Sequence, residues 1–335
     1  MKSVKLKVSL IANVIAIICL VILGIITFIF VKQSLSEEII RSEQNRLISG
    51  KNLIDNFRKN TANSLQRLSE TILRNPYSKL SSQQALMENV GMQLRNFRDA
   101  GNYLAVYIAQ PDGELLVSDP DSDAQNLNFG IYGKANGYDA RTREFYIEAK
   151  NRNGLFITNS YIDATTGLPC FTYAMPLNKD GKFLGILAID VLTKDLEESL
   201  KQIPGDSFAY DKNKFAFIST SKDYSHNRPN VKIVADEFSK ISTNKMPFYY
   251  ISEKGSKRLA MCDKEHDYTI CAMTYIDTVN HSSEKIAYIQ TAVVIFTSIL
   301  SITLLYFIIS YYLSPLTKIQ TGLNSFFDFI NHKTK

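Results

Sequence analysis

The chain has 335 residues, of which 45% are hydrophobic and 21% charged, and a formal net charge of +5. That length suits two or three structural units, and the composition is that of a folded protein. So small a charge excess, concentrated near the ends, excludes an argument for nucleic-acid binding from charge.

Residues 1–7 carry Lys2, Lys5 and Lys7, and Val8 to Val31, VSLIANVIAIICLVILGIITFIFV, then holds no charge. At about 1.5 Å of rise per residue this stretch crosses a hydrocarbon core of roughly 30 Å with some tilt. It outruns the roughly 7 to 15 apolar residues of a signal-peptide core, and no small-x-small cleavage pattern precedes KQSLSEE, so an uncleaved transmembrane helix is expected over 8–31. Ile40, Leu47, Ile54, Leu65, Leu68 and Ile72 then recur at helical spacing with no proline before Pro76. This predicts a long helix over 32–75 rising from the membrane. Ser81 or Ser82 caps a further helix that ends near Gly101.

From Asn102 the pattern becomes one of strands. YLAVYIAQPDGELLVSD reads as a hairpin turning at Pro-Asp-Gly, LFITNSYIDATTGLPCFTYAMPL as a second turning at Thr165 to Gly167, and PLNKDGKFLGILAIDVL as a third turning at Asp180-Gly181. Between the first two lie a polar loop, Asp119 to Gly137, and the segment YDARTREFYIEA, 138–149. TKDLEESLKQI reads as a helix, and Pro204-Gly205 marks a boundary. Beyond it SFAYDKNKFAFIST, the helical VKIVADEFSKI, PFYYISEKGSKRLAMC and YTICAMTYI give a smaller strand-rich unit. The reading is α+β: a long helix carrying two stacked α/β modules, a distal one at 80–203 and a membrane-proximal one at 204–285.

A second charge-free run, Ile286 to Thr317, predicts another transmembrane helix over 286–313, with Tyr288 and the Tyr311/Tyr312 pair as interfacial anchors. Lys318, Lys333 and Lys335 follow it, so the positive-inside rule puts both termini in the cytoplasm and residues 32–285 outside. Of the four cysteines, Cys19 lies in the first span and Cys170, Cys262 and Cys271 lie outside, where disulfides persist. RLAMCDKEHDYTICAMTYI reads as two strands around a turn near Lys264 to Tyr268, which sets Cys262 opposite Cys271. A cross-strand disulfide and two reduced core cysteines both fit that pattern.

Parts for catalysis are missing. His226, His266, His281 and His332 are scattered, and there is no HExxH, Cys-x-x-Cys, GxSxG, P-loop or GxGxxG, so neither an enzyme, a metal nor a cofactor is expected. A pocket is better supported. A free amino acid carries a carboxylate, which asks for Arg and hydrogen-bond donors, and an ammonium, which asks for carboxylate or aromatic oxygens. Tyr138, Arg143, Phe145 and Tyr146, then Tyr161 and Asp163, then Asp190 supply these types in adjacent elements. Asp190 interrupts the apolar LGILAIDVL, where an unpaired carboxylate is costly. Singly, each has a plainer reading: Asp190 as a cap for the helix near Lys194, Asp163 as a turn stabiliser, Arg143 as a solvated charge. An ideal helix through all of 138–149 would set Arg143 and Phe145 about 200° apart, so a shared ligand requires the helix to start near Glu144.

The segment 103–192, above all YDARTREFY, YIDATTG and NKDGKFLGILAIDV, resembles the distal module of the double-Cache (PAS-like) sensor region of bacterial methyl-accepting chemotaxis receptors, in its amino-acid-binding subset. The resemblance implies that Arg143 and position 145 hold a ligand carboxylate, and that Tyr146, Asp163 and Asp190 hold its ammonium. The subset carries Trp where this chain has Phe145, which removes an indole N–H. SPLTKIQTGLNSFFDFINHKTK, in 314–335, resembles the first helix of a HAMP module, and the chain ends there. The expectation is therefore a periplasmic chemoreceptor sensor in the bacterial inner membrane, a homodimer or a member of a mixed receptor array, without its cytoplasmic hub. The ectodomain of a sensor kinase or cyclic-dinucleotide enzyme, and a non-signalling envelope protein, are the alternatives.

Overall fold

The computed structural model describes residues 2–226, 228–241 and 243–330. His332, Lys333 and Lys335 lie outside the described residues, as do the side chains of Lys2, Lys5, Lys7 and His281. Packing divides the chain into two units, one of 1–40 with 276–335 and one of Arg41–Tyr275.

The first unit is helical. It holds the start of α1 (Lys2–Leu73) and all of α7 (Ile276–Ile330), each long and apolar enough to cross a membrane by length and composition. Gln290 Nε2 donates to the Gly24 carbonyl at 2.7 Å. The sequence suggested a membrane helix and a separate long helix; they form one element, because nothing between Val31 and Leu73 breaks the helical ladder. Likewise α7 begins at Ile276, ten residues before the expected span, and continues through Pro315.

The second unit contains two antiparallel sheets. After α2 (Gln83–Gly101), capped by Ser82, come β1 (Ala105–Ala109) and β2 (Leu115–Ser118). The expected polar loop instead holds α3 (Pro120–Ala124) and the edge strand β3 (Gly130–Tyr132). The signal was local: Asp119 accepts from the Ser122 amide at 2.8 Å, and Pro120 sits in the first turn. Next are α4 (Glu144–Arg152), β4 (Phe156–Ile157), β5 (Tyr161–Ile162), β6 (Pro169–Lys179) and β7 (Lys182–Leu192). The first sheet runs β3-β2-β1-β7-β6-β4, with β5 also on β6. The β6–β7 turn has Asp180 at φ 52° and Gly181 at φ 72°, the left-handed pair such a two-residue hairpin requires.

Side chains alternate across the strands. Tyr107, Ala109, Ala174, Ile186 and Ala188 join Phe145, Tyr146 and Ala149 of α4 in one core. Val106, Ile108, Leu116, Leu187 and Ile189 are buried on the opposite face, where α2 packs over β1 and β2. Burying Phe145 and Tyr146, 6% and 4% exposed, fixes α4 against the sheet by roughly 1.5 to 3 kcal/mol each.

After α5 (Lys194–Leu200), the second sheet runs β10 (Pro247–Ile251), β11 (Lys257–Lys264), β12 (Tyr268–Tyr275), β8 (Asp206–Asp211), β9 (Ala216–Ser219). Its core is covered by α6 (Pro229–Ser239) through Val231, Val234 and Phe238. Cys262 and Cys271 are direct partners in the β11–β12 register and are joined by a disulfide. The sheets meet where the Phe171 ring packs edge-on to Phe217, 5.0 Å between centroids.

Candidate functional site

The segment 138–146 is shaped by two changes of backbone direction. Asp139 accepts from the Arg141 amide at 3.0 Å and heads a single 3-10 turn, Ala140–Thr142. Arg143 is then extended, at φ −89° and ψ 145°, and forms the N-cap of α4. The helix therefore begins at Glu144, and Arg143 lies before its first turn, beside the free N–H groups there.

The two arginines of this segment differ in their partners. Arg141 is paired with Asp139, its Nη2 2.6 Å from Oδ2, and this bonding holds the Asp139 carboxyl down at about 2. Arg143 forms no salt bridge among the described residues; its guanidinium carbon stands 5.9 Å from the Tyr138 ring centre. The charge is left for something else.

A cavity of about 460 Å³ opens beside it. Its wall includes Tyr138, Thr142, Arg143, Glu144 and Phe145 from this segment, Tyr107 from β1, Tyr161 from β5, Thr172 from β6 and Asp190 from β7. Phe145 is edge-on to Tyr107 at 5.5 Å, so the aromatic wall is continuous. Asp190 Oδ1 accepts from Thr172 Oγ1 at 2.6 Å and from Tyr107 at 3.1 Å, and the Tyr161 hydroxyl is 2.9 Å from Thr172 Oγ1. Burial raises the Asp190 carboxyl to about 6, against the hydrogen bonds from Thr172, Tyr107 and Tyr161 that favour its charged form. Burial raises the Tyr107 and Tyr161 phenols and pushes Tyr138 up to about 12, so all three remain neutral donors near neutral pH. No cation of the protein pairs with Asp190 among the described residues.

Of the residues singled out from sequence, Tyr138, Arg143, Phe145, Tyr161 and Asp190 meet in this cavity. Two do not line it. The Tyr146 ring packs edge-on to Phe183 at 6.1 Å, one turn position further round α4. Asp163 closes its own turn, accepting from the Thr166 amide at 2.6 Å and hydroxyl at 2.7 Å. The plainer reading of Asp163 describes its contacts here. The plainer reading of Asp190 does not: it lies within β7, three residues before Thr193, the N-cap of α5.

Sequence reasoning missed Tyr107 and Thr172. Tyr107 was visible as an alternate residue of an apolar strand. Thr172 was hidden by register. A strict two-residue hairpin pairing Lys179 with Lys182 would set Asp190 opposite Phe171, but the register shifts at Leu177/Asn178 and sets it opposite Thr172. Gly185, at φ 141°, allows that shift; a Cβ there would lie 2.3 Å from the Ala109 carbonyl oxygen.

The family described as methyl-accepting chemotaxis protein-like, first PDC sensor domain, matches residues 78–198. That span holds every residue of the cavity named above. Residues 78–198 therefore resemble a chemoreceptor-type PDC sensor domain. Among solved structures, the sensory domain of the Campylobacter jejuni chemoreceptor Tlp3 with isoleucine bound is similar at 26% identity and a TM-score of 0.64, over 75% of this chain and 98% of that one. The ligand-binding domain of the Pseudomonas fluorescens chemoreceptor CtaA with L-serine shares the fold at 16% identity and a TM-score of 0.53, over 72% and 99%. The Mlp24 domain with asparagine does so at 16% and 0.55, over 76% and 99%. These relatives are sensory or ligand-binding domains.

Proposed function

We propose that the sensor domain binds a small free amino acid in the cavity beside α4. The observation that carries this reading is a carboxylate and a guanidinium facing one recess, Asp190 and Arg143, each without a counter-ion among the described residues. A zwitterion supplies both missing charges at once. Its ammonium meets Asp190, with Tyr107, Thr172 and Tyr161 behind the carboxylate, and its carboxylate meets Arg143 and the first turn of α4. Phe145 and Tyr138 give the aromatic surface between them. Tyr146 and Asp163 would then act at one remove, by holding α4 and the β5–β6 turn. The relatives support the ligand class, since Tlp3 was solved with isoleucine and with L-valine.

The two apolar helices are the membrane spans in this reading, 8–31 and 286–313, with residues 32–285 in the periplasm as a long helix, a distal module and a stacked membrane-proximal one. Ligand in the distal module shifts the second span slightly against the first. A thermal-shift and calorimetric screen of the whole chain in lipid nanodiscs against the proteinogenic amino acids tests the reading. Ligand at a hundredfold excess over Kd adds about 2.7 kcal/mol of stability. Absence of a shift with every amino acid, or shifts that persist in Arg143→Ala and Asp190→Asn, would overturn it.

A further inference from the structure

One wall of the cavity comes from the other sheet. Asn213 lines it, yet belongs to the turn between β8 and β9. Asp211, only 3% exposed, anchors that turn. Its Oδ1 accepts from the amides of Asn213 at 2.9 Å and Phe215 at 3.1 Å, while Oδ2 accepts from Ser160 Oγ at 2.7 Å. Ser160 itself lines the cavity. One buried carboxylate therefore shapes the turn that carries Asn213 and ties it to the opposing wall.

The remaining polar groups of the wall divide into spoken-for and free. Thr142 Oγ1 donates to the Asp139 carbonyl at 2.8 Å, Thr158 Oγ1 accepts from the Thr172 amide at 3.0 Å, and Ser160 is held by Asp211. The side-chain amides of Asn159 and Asn213 have no protein partner among the described residues. With the charged ends of an amino acid assigned to Asp190 and Arg143, the part left to meet these amides is its side chain.

We propose that Asn213 is a specificity-determining residue supplied by the second sheet, hydrogen-bonding the ligand's side chain and favouring amide or hydroxyl groups over purely aliphatic ones. The inference rests on the amino-acid reading of the cavity. The amide carries both a donor pair and an acceptor, so it matches either polarity of a neutral side chain. Binding of such a side chain also draws the β8–β9 turn toward the cavity.

Calorimetric titration of the whole chain in nanodiscs with each proteinogenic L-amino acid tests it, comparing wild type with Asn213→Ala, Asn213→Asp and the control Asp190→Asn. In Asn213→Ala, ligands with amide or hydroxyl side chains bind about three- to tenfold more weakly, the loss of one neutral hydrogen bond, and aliphatic ones bind as before. Asn213→Asp shifts preference toward cationic side chains. Hydrogen exchange at the Asn213 and Phe215 amides slows on ligand addition in wild type. Wild-type affinities for every amino acid in Asn213→Ala, with binding abolished in Asp190→Asn, overturn the role of Asn213 and leave the amino-acid reading standing. Equal weakening for all ligands together with a lower ligand-free melting temperature marks a structural role and also overturns it. If no amino acid binds wild type, both readings fall.

Discussion

The two sheets of Arg41–Tyr275 solve the same problem in opposite ways. Each sets an ionised group on the face covered by a helix, where charge is costly unless paired. In the second sheet the group is Arg258 on β11, 2% exposed and fully enclosed by the chain itself. Asp223 lies 3.3 Å and Asp206 3.5 Å from its guanidinium, the hydroxyls of Tyr224 and Tyr275 accept from it, and its Cζ is 3.7 Å from the centre of the Tyr275 ring. In the first sheet the group is Asp190, given hydroxyl donors but no cation among the described residues, and left facing a cavity. A closed ion cluster is a structural element; the open one, with half its charges missing, is the binding site in the function proposed above. The architecture is shared, and the missing counter-charge separates the roles.

The closed cluster is where substitution does most harm to folding. Arg258→Ala takes the guanidinium from Asp206, Asp223 and two tyrosine hydroxyls, while Asp223 keeps Lys254 at 2.9 Å and Tyr224 keeps Tyr250, so a loss at the lower end of about 3 to 5 kcal/mol is expected. Denaturation of the nanodisc-embedded protein measures it, and a loss below about 1 kcal/mol would mean that water already satisfies the cluster.

Asp190 responds in the reverse sense. Its folded-state pKa of about 6 lies above the ordinary aspartate value of 3.8, so the folded protein holds the proton more tightly than the unfolded chain. Ionisation therefore costs stability as pH rises from about 4 through 6, to roughly 3 kcal/mol at the upper limit. Asp190→Asn is expected to abolish amino-acid binding while raising the ligand-free melting temperature at pH 8, and to lose that advantage near pH 4. Wild-type affinity is expected to be flat from pH 7 to 8 and to fall below about pH 6, approaching tenfold per pH unit. A destabilised ligand-free Asp190→Asn protein at pH 8 would show that the carboxylate is already neutralised from within.

Phe145→Trp adds an N–H donor to the carboxylate end of the cavity. A hydrogen bond to a charged group contributes about 1.5 to 3 kcal/mol, so affinity is expected to rise about tenfold or more, provided the larger ring keeps its edge-on contact with Tyr107. Weaker binding in this variant, with Arg143→Ala still deleterious, would mean that the wall at position 145 is fitted to the smaller ring.

Much of this contrast was legible in the sequence because it is local. The Asp180-Gly181 turn, the Ser82 cap, the facing cysteines and the start of α4 at Glu144 are all set by a few adjacent residues. Asp190 stood out because a carboxylate interrupts an apolar strand. What was not legible depends on register and tertiary contact. Tyr146 falls just outside the cavity because α4 rotates it onto Phe183, and the Arg258 cluster draws on β8, β11, β12 and the residues before α6. Asn213 reaches the cavity only because the two sheets meet.

The smallest expected effect concerns Thr172, which register concealed. Thr172→Val keeps the branched shape that suits a strand but removes the hydroxyl lying 2.6 Å from Asp190. Losing one donor of about 1 kcal/mol should raise the Asp190 pKa by somewhat under one unit. The carboxylate then ionises later, so the pH at which amino-acid affinity falls should move upward by that amount, while affinity at pH 8 changes only a few-fold. A titration of affinity against pH separates this from simple loss of packing, which would lower affinity equally at every pH. An unmoved midpoint would assign the stabilisation of the Asp190 charge to Tyr107 and Tyr161. The open cluster would then depend on tyrosine hydroxyls alone, in contrast to the carboxylates and hydroxyls that enclose Arg258.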